Sequence, residues 1–222
     1  MVASVACPDS IPGSTEMENV ILFGAQSTRF SREKLSQLRE SIEQDAGLQF
    51  FRGVIKDLPA IWPVIVKTCP SLARVPAADA LADLQQVIQD GVSPTHTEAK
   101  NVLFAPLTVI SQLTEFWLMG RKTGSQIISK LVPRESQLSD VQGFCVGFLA
   151  ASVVACSADA AEFQRLSSIV LNLAVCIGAV VDLDEASSSD PLDRFVSFAV
   201  RFKSKCEREQ LEQTLSRYHE VS

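Results

Sequence analysis

The centre of the chain carries the stretch Gly143-Phe144-Cys145-Val146-Gly147, on which the fold prediction depends. A candidate nucleophile between two glycines at this spacing is typical of a nucleophile elbow, the sharp turn that joins a strand to a helix. Small residues on both sides let the central side chain stand clear of the backbone. Unpaired amide groups and the dipole at the start of a helix stabilise a thiolate, the form of cysteine that attacks a carbonyl. The stretch therefore predicts an α/β core with Cys145 as the nucleophile of an acyl transfer.

The segments on either side of this stretch supply the predicted strands and helices. Leu138 to Gln142 could lead into the elbow as a short strand, and Asn19 to Gly24 is an apolar run that suits a buried strand. The first predicted helix is capped by Ser31, and the second, over about 48–66, is interrupted at Pro59 and Pro63. Further helices are predicted over 79–89, 101–119 and 146–156. A last one runs from a cap at Ser157 to about Val181. Alternating apolar residues predict a strand over 195–202, and Ser204 fits the cap of a final helix.

Composition divides the chain into three parts. Residues 1–18 have no basic and no apolar signal region and are rich in Pro, Ser and Thr, so we expect a flexible leader. Residues 19–184 form the predicted large unit. From Asp182 to Asp193 the sequence turns to Asp, Glu, Ser and Pro, which predicts a loop or subdomain boundary, and the acidic run from Asp182 to Glu185 predicts a solvated turn. Residues 185–222 are accordingly predicted to be a linker and the beginning of a small βα subdomain.

Size, charge and cysteine content exclude several classes of protein. The 222 residues are 46% hydrophobic, enough for one sizeable core, and the net charge of −6 leaves no basic field for nucleic acid. The six cysteines include no Cys-x-x-Cys pair, which disfavours a metal site and a disulfide framework. Leu166 to Val181 is uncharged but shorter than the roughly 20 residues that cross a bilayer, which favours a buried core helix. We therefore expect no membrane contact, no metal and a cytoplasmic location.

Four segments resemble a known family, the starter unit acyl-carrier-protein transacylase domain at the N-terminus of fungal non-reducing polyketide synthases. They are residues 21–26 (Ile-Leu-Phe-Gly-Ala-Gln), 103–113 (Leu-Phe-Ala-Pro-Leu-Thr-Val-Ile-Ser-Gln-Leu), 143–147 and 211–216 (Leu-Glu-Gln-Thr-Leu-Ser). The resemblance runs from about Asn19 to the C-terminus. It implies a malonyl-transferase-like fold with an α/β-hydrolase-like large subdomain, here incomplete, followed by the start of a ferredoxin-like small subdomain.

The resemblance also implies a set of site residues. Cys145 would take an acyl group from coenzyme A and pass it to the phosphopantetheine thiol of an acyl carrier protein domain or polyketide synthase. The backbone N–H groups of Gln26 and Val146 would form the oxyanion hole, and Gly143 and Gly147 would shape the elbow. No bound cofactor and no metal are implied: coenzyme A thioester is the donor, and phosphopantetheine on the partner is the acceptor.

The same resemblance bears on the acyl group. Malonyl-selective relatives place an arginine about 25 residues beyond the nucleophile, where this chain has Ile169, Val170 and Leu171. An apolar lining does not offset the desolvation of a carboxylate, so acetyl or a longer fatty acyl group is expected instead. Arg165 is the nearest arginine in sequence and stands short of that place.

Two alternatives remain open at this point. Relatives in the family take the catalytic histidine from the part that follows the small subdomain, so the chain could be a truncated, non-catalytic remnant that at most binds a carrier or synthase partner. A cysteine hydrolase would need an acid and then a histidine after the elbow. Asp182 or Asp184 followed by His219 has that order, although the family resemblance argues against it. The other histidine, His96, is expected to be a solvated loop residue.

Overall fold

The computed structural model describes residues 2–6, 19–26, 30–91, 100–122, 138–187, 209, 212 and 213. The chain divides into two compact units, Met1–Ser187 and Ser188–Ser222. The first unit contains, in chain order, β1 (Val2–Ala6), β2 (Asn19–Phe23), α1 (Arg32–Gln44), α2 (Phe50–Thr68), a 3-10 helix (Pro70–Arg74), α3 (Ala77–Asp90), α4 (Lys100–Lys122), β3 (Leu138–Gly143), α5 (Gly147–Cys156) and α6 (Ala160–Ser187). The described part is thus mostly helical around a small sheet, which is compatible with the predicted α/β class.

The sheet has the strand order β1-β2-β3, with β2 in the middle. β2 and β3, two of the three strands predicted from the sequence, are confirmed and run parallel, with Phe23 opposite Gly143 at their carboxyl ends. β1 pairs antiparallel with β2. Composition placed Val2–Ala6 in a flexible leader, but this segment forms a strand, because an edge of β2 supplies backbone partners that composition does not reveal.

α4 is the central helix of the core, as its apolar sequence predicted. Its side chains from Val102 to Leu113 are almost all buried, and it packs along α6. Aromatic rings join it to the elements around it: Phe116 lies with its ring centre 6.2 Å from that of Phe23 on β2 and 6.3 Å from that of Phe163 on α6. A single helix therefore contacts both the sheet and α6, and it fixes their spacing.

α6 corrects two expectations. The helix continues to Ser187, beyond the predicted end near Val181, and Asp182 is buried at 7% exposure rather than lying in a solvated turn. The apolar composition predicted a helix buried in the core, but only one face of α6 is buried. The other face exposes a row of apolar side chains, which are Ile169, Leu173, Ile177, Val180 and Val181.

Two described helices, α4 and α6, are long and apolar enough to cross a membrane by length and composition alone. The apolar span of α4 is 72% buried within the protein and that of α6 is 44% buried. Both spans pack on each other in the core of the first unit. Their apolar character is accounted for in large part by this mutual packing.

α2 is continuous through Pro59 and Pro63, where the sequence predicted interruptions. Each proline removes a helical hydrogen bond, so the helix must be held by other contacts. Phe51, Ile55 and Leu58 provide them, since all three are buried in the core. Tertiary packing thus overrides the local preference of the two prolines.

The second unit is described at only three positions. Glu209, Glu212 and Gln213 are helical, in agreement with the predicted final helix. The predicted strand at 195–202 and its cap at Ser204 lie outside the described residues. The interpretation of the two units as a large acyltransferase subdomain and the start of a small one stays a prediction.

Candidate active site

The candidate site lies where the two parallel strands end. Because β2 and β3 are parallel, the loop that follows Phe23 and the turn that follows Gly143 leave the same edge of the sheet. The N–H of Phe144 donates a hydrogen bond to the carbonyl oxygen of Phe23 at 3.0 Å, which extends the pairing into the turn. Carboxyl ends of parallel strands are where open α/β sheets place their ligands. The sequence segments 24–26 and 143–147 are thereby brought side by side.

The turn at Cys145 has the backbone geometry of an elbow. Cys145 has φ of 56°, the one positive φ among the described non-glycine residues. The N–H of Gly147 donates to the Phe144 carbonyl at 3.0 Å and that of Phe148 to the Cys145 carbonyl at 3.0 Å, so the strand reverses directly into α5. A left-handed conformation at a residue with a side chain costs roughly 1–2 kcal/mol and persists where the surroundings impose it. The Cys145 side chain is exposed.

Close approach explains both glycines of the elbow. A Cβ on Gly143 would lie closer than 3.0 Å to backbone atoms of Gly147 and Phe148. A Cβ on Gly147 would lie closer than 3.0 Å to the carbonyl oxygens of Phe23 and Gly24. Backbone atoms cannot move aside as a flexible side chain can, so only glycine fits at either position. The start of α5 consequently touches the loop that follows β2.

The two predicted oxyanion amides, those of Val146 and Gln26, belong to the two segments that meet at the contact of Gly147 with Gly24. Val146 is buried at 5% exposure in the cap position of α5, and no described residue accepts a hydrogen bond from its N–H. The amide groups at the start of a helix lack intrahelical partners and are available to an anion. Gln26 is half-buried in the loop after β2. Its side-chain Nε2 donates to Oδ1 of Asn101 at 2.9 Å, which ties the loop to the start of α4.

Two exposed phenylalanines lie close to Cys145 in the sequence. Phe144 and Phe148 flank Cys145 in sequence and are both 63% exposed. The segment that the resemblance assigned to the acyl pocket is divided by the structure: Val170 and Leu171 are buried in the core, and Ile169 is 45% exposed on α6. An acyl lining composed of all three residues stays a prediction, whereas the two phenylalanines are apolar neighbours that sequence reasoning left out. The signal that could have identified them was their place in sequence, Phe144 inside the elbow motif and Phe148 directly after it.

A buried carboxylate holds the start of α4 next to the site. Oδ1 of Asp182 accepts hydrogen bonds from the backbone N–H of Asn101 at 3.0 Å and from its Nδ2 at 2.8 Å. Oδ2 accepts from the N–H of Val102 at 2.9 Å. Both carboxylate oxygens are thus engaged with α4, where a negative charge suits the helix dipole. These contacts give Asp182 a structural role at the start of α4. The hydrolase alternative, Asp182 or Asp184 followed by His219, stays a prediction, because His219 lies outside the described residues.

A second residue of α4 reaches the same loop. Gln112 is buried at 1% exposure, and its Nε2 donates to the carbonyl oxygen of Gly24 at 2.7 Å. Sequence reasoning gave no role to Gln112 or Asn101. Gln112 does fall inside the segment 103–113 that carries the family resemblance, which was the available signal. Asn101 precedes that segment by two positions and had none.

The histidines, metal-binding groups and remaining cysteines are the other candidates. His96 and His219 are outside the described residues. No group of three or more metal-binding side chains occurs in the part of the chain that the structure describes. Three further described cysteines are free: Cys69 and Cys156 are exposed, and Cys176 is half-buried on α6, where burial raises the pKa of its thiol.

A cysteine at positive φ between a parallel strand and a helix, with glycines in backbone contact on both sides, is the geometry of a nucleophile elbow in an α/β protein. Residues 21–222 match the family described as starter unit:ACP transacylase in aflatoxin biosynthesis. The chain therefore belongs to the starter unit acyl-carrier-protein transacylase family, whose activity is acyl transfer in polyketide synthases.

Individual relatives agree with this assignment. The chain is 39% identical over 88% of its length to the non-reducing polyketide synthase adrD of Penicillium rubens. It is 38% identical over 95% of its length to the non-reducing polyketide synthase nvfA of Aspergillus novofumigatus, and 31% identical over 90% to a 5-methylorsellinic acid synthase of Aspergillus terreus. The matches cover 7%, 9% and 8% of these relatives respectively, so the chain spans less than a tenth of their length.

Proposed function

We propose that this chain moves an acetyl or fatty acyl group from coenzyme A, through a thioester on Cys145, to the phosphopantetheine thiol of an acyl carrier protein or polyketide synthase in the cytoplasm. The observation that carries the proposal is the exposed thiol at φ of 56° in the Gly143–Gly147 elbow. Backbone strain of this kind is retained where it presents a reactive group. Membership of the transacylase family supplies the type of reaction.

The first half of the reaction forms the acyl-enzyme. The sulfur of the Cys145 thiolate attacks the carbonyl carbon of the thioester, and the carbonyl oxygen becomes an oxyanion. The N–H groups of Val146 and Gln26 donate to that oxygen, and two such preorganised donors each lower the barrier by about 3 to 4 kcal/mol. The carbon–sulfur bond to coenzyme A then breaks, and the thiolate of coenzyme A leaves with the electron pair.

The second half repeats these steps in the opposite direction. The phosphopantetheine thiolate of the carrier attacks the Cys145 thioester, and the Cys145 thiolate leaves. The acceptor thiol must first lose its proton. In solution at pH about 9 the thiol loses its proton without a protein base, because the pKa of a free cysteine-type thiol is about 8.5. Activity of the chain can therefore be tested independently of the source of the base.

The surroundings of the thiol favour an uncharged acyl group. Phe144, next to Cys145, and Phe148, three residues beyond it, expose apolar side chains. A free carboxylate placed there would lose its hydration without gaining a cationic partner, whereas a methyl group or alkyl chain would gain from leaving water. Acetyl and fatty acyl groups are therefore preferred over malonyl.

The test is acylation followed by transfer. The purified chain is incubated at pH about 9 with acetyl-, hexanoyl- or malonyl-coenzyme A, and its intact mass is measured before and after addition of a phosphopantetheinylated carrier protein. We expect an acyl adduct with the first two donors that is absent in Cys145→Ala and that moves to the carrier. Cys156→Ala, which removes another exposed thiol, is the matched control and should acylate as the unchanged chain does.

The other outcomes identify the alternatives. Absence of any Cys145-dependent adduct would leave the chain as a non-catalytic module that binds a carrier or synthase. Rapid release of free acid without transfer would identify a hydrolase. A malonyl adduct as abundant as the acetyl adduct would contradict the proposed acyl preference.

A further inference from the structure

The loop after β2 is held at two points by one helix. Its first residue, Gly24, accepts a hydrogen bond through its carbonyl oxygen from Nε2 of Gln112 at 2.7 Å. Its third described residue, Gln26, donates through its side chain to Oδ1 of Asn101 at 2.9 Å. Gln112 and Asn101 both belong to α4, eleven positions apart in sequence. The peptide between Ala25 and Gln26, which carries the Gln26 N–H, lies between these two tethers.

We propose that Gln112 and Asn101 are positioning residues that hold the Gln26 N–H towards the oxyanion formed at Cys145. The inference rests on the proposed function in that Cys145 is acylated through a tetrahedral oxyanion. Misplacement of a catalytic group by about 1 Å can slow a reaction by about 100-fold. A loop with no regular secondary structure needs side-chain tethers to reach that precision.

The orientation of each tether is fixed by its surroundings. Asp182 accepts from Nδ2 of Asn101, and a carboxylate only accepts at this site, so Asn101 must turn its oxygen towards Gln26. Gln112 is 1% exposed, and no described residue donates a hydrogen bond to its Oε1. A buried amide that leaves its oxygen unpaired gives up stability. In return, the Gln112 side chain makes the hydrogen bond from its Nε2 to the carbonyl oxygen of Gly24.

The carbonyl group of Gly24 also contacts the elbow, so its position affects the site. The same carbonyl oxygen lies against Gly147, close enough to exclude a Cβ there. Gln112 therefore fixes a peptide that is wedged between α4 and the start of α5. Movement of this peptide would shift the Gln26 amide relative to Cys145 and Val146 together.

The test separates oxyanion chemistry from simple thiol reactivity. p-Nitrophenyl acetate acylates a thiolate through a tetrahedral oxyanion, expels p-nitrophenolate with the electron pair, and needs no coenzyme A site. Iodoacetamide alkylates the same sulfur by displacing iodide, with no oxyanion. Both rates at Cys145 are measured on the full chain at pH about 9 for Gln112→Met, Gln26→Met and the control Thr114→Val. Thr114 is a buried α4 residue whose Oγ1 has no described partner.

We expect Gln112→Met and Gln26→Met each to lower the p-nitrophenyl acetate rate by about 10- to 100-fold while leaving the iodoacetamide rate within about two-fold. Thr114→Val should change neither rate. Unchanged acylation in both glutamine variants would overturn the inference. An equal fall in both rates would also overturn it, because the tethers would then present the thiol and not the amide. A chain that reacts with p-nitrophenyl acetate but not with acyl-coenzyme A would refute the proposed function and leave the positioning role intact.

Discussion

Replacement of Asp182 with alanine should destabilise the first unit strongly, because this carboxylate holds the start of α4. It accepts three hydrogen bonds, from the two N–H groups of Asn101 and Val102 and from the Asn101 side chain. Val102 is completely buried, so its N–H would find no water after the substitution. Leaving a buried N–H donor without an acceptor costs about 1–3 kcal/mol.

The two bonds from Asn101 add to this loss. Asn101 is half-buried, and water can replace the carboxylate there in part, so we assign about 0.5 kcal/mol to each bond. The sum is about 3 kcal/mol, a large share of the roughly 5–15 kcal/mol by which a domain is stable. The loss should also loosen Asn101, and with it the tether on Gln26.

The assay is urea-induced unfolding followed by circular dichroism. Asp57→Ala is the matched control, since Asp57 is an exposed acid on α2 and its loss should change the free energy of unfolding by less than about 0.5 kcal/mol. A loss below about 1 kcal/mol for Asp182→Ala would refute the reasoning.

Three further substitutions test other parts of the account. Gly147→Ala should destabilise by about 1–3 kcal/mol and slow acylation of Cys145, since its Cβ would meet the carbonyl oxygens of Phe23 and Gly24. Gly53→Ala on α2, whose Cβ would meet nothing within 4 Å, should stabilise by about 0.5–1 kcal/mol in the same unfolding assay. Equal effects of the two would contradict the close packing at the elbow. Burial raises the pKa of the Cys176 thiol, so the folded state favours the protonated form and stability should fall as pH rises above the ordinary value of 9.0. Cys176→Ala should make thermal unfolding less sensitive to pH in that range, and an identical pH dependence in both proteins would contradict this assignment.

The elbow could be predicted from sequence because its requirements are local. Two glycines four residues apart are needed wherever a strand reverses into a helix around one exposed side chain, and Gly143 and Gly147 meet backbone atoms as this requires. The two strands β2 and β3, which both precede the elbow in the chain, were recognisable because short apolar or extended segments bounded by glycine are typical of buried strands. The parallel pairing that brings 24–26 beside the elbow is shown by the structure and was not predicted from the sequence.

The support of the site could not be predicted, because it depends on contacts between distant parts of the chain. Asp182 and Asn101 are 81 positions apart and meet only because α6 packs along α4. Local composition suggested a solvated acidic turn, and the neighbouring Asp184 and Glu185 are in fact exposed. Asp182 differs from them only in facing inward on the helix. The strand at Val2–Ala6 was missed for a similar reason, since its hydrogen bonds are made with β2.

The central claim is that geometry, and not exposure alone, makes Cys145 the thiol that takes the acyl group. The chain offers a direct comparison, because Cys69 and Cys156 are exposed as well and lie outside any elbow. The deciding measurement is peptide mapping by mass spectrometry after brief treatment with hexanoyl-coenzyme A. The account predicts the hexanoyl group on the peptide that contains Cys145, with little on those that contain Cys69 or Cys156. Equal labelling of the three cysteines would contradict it.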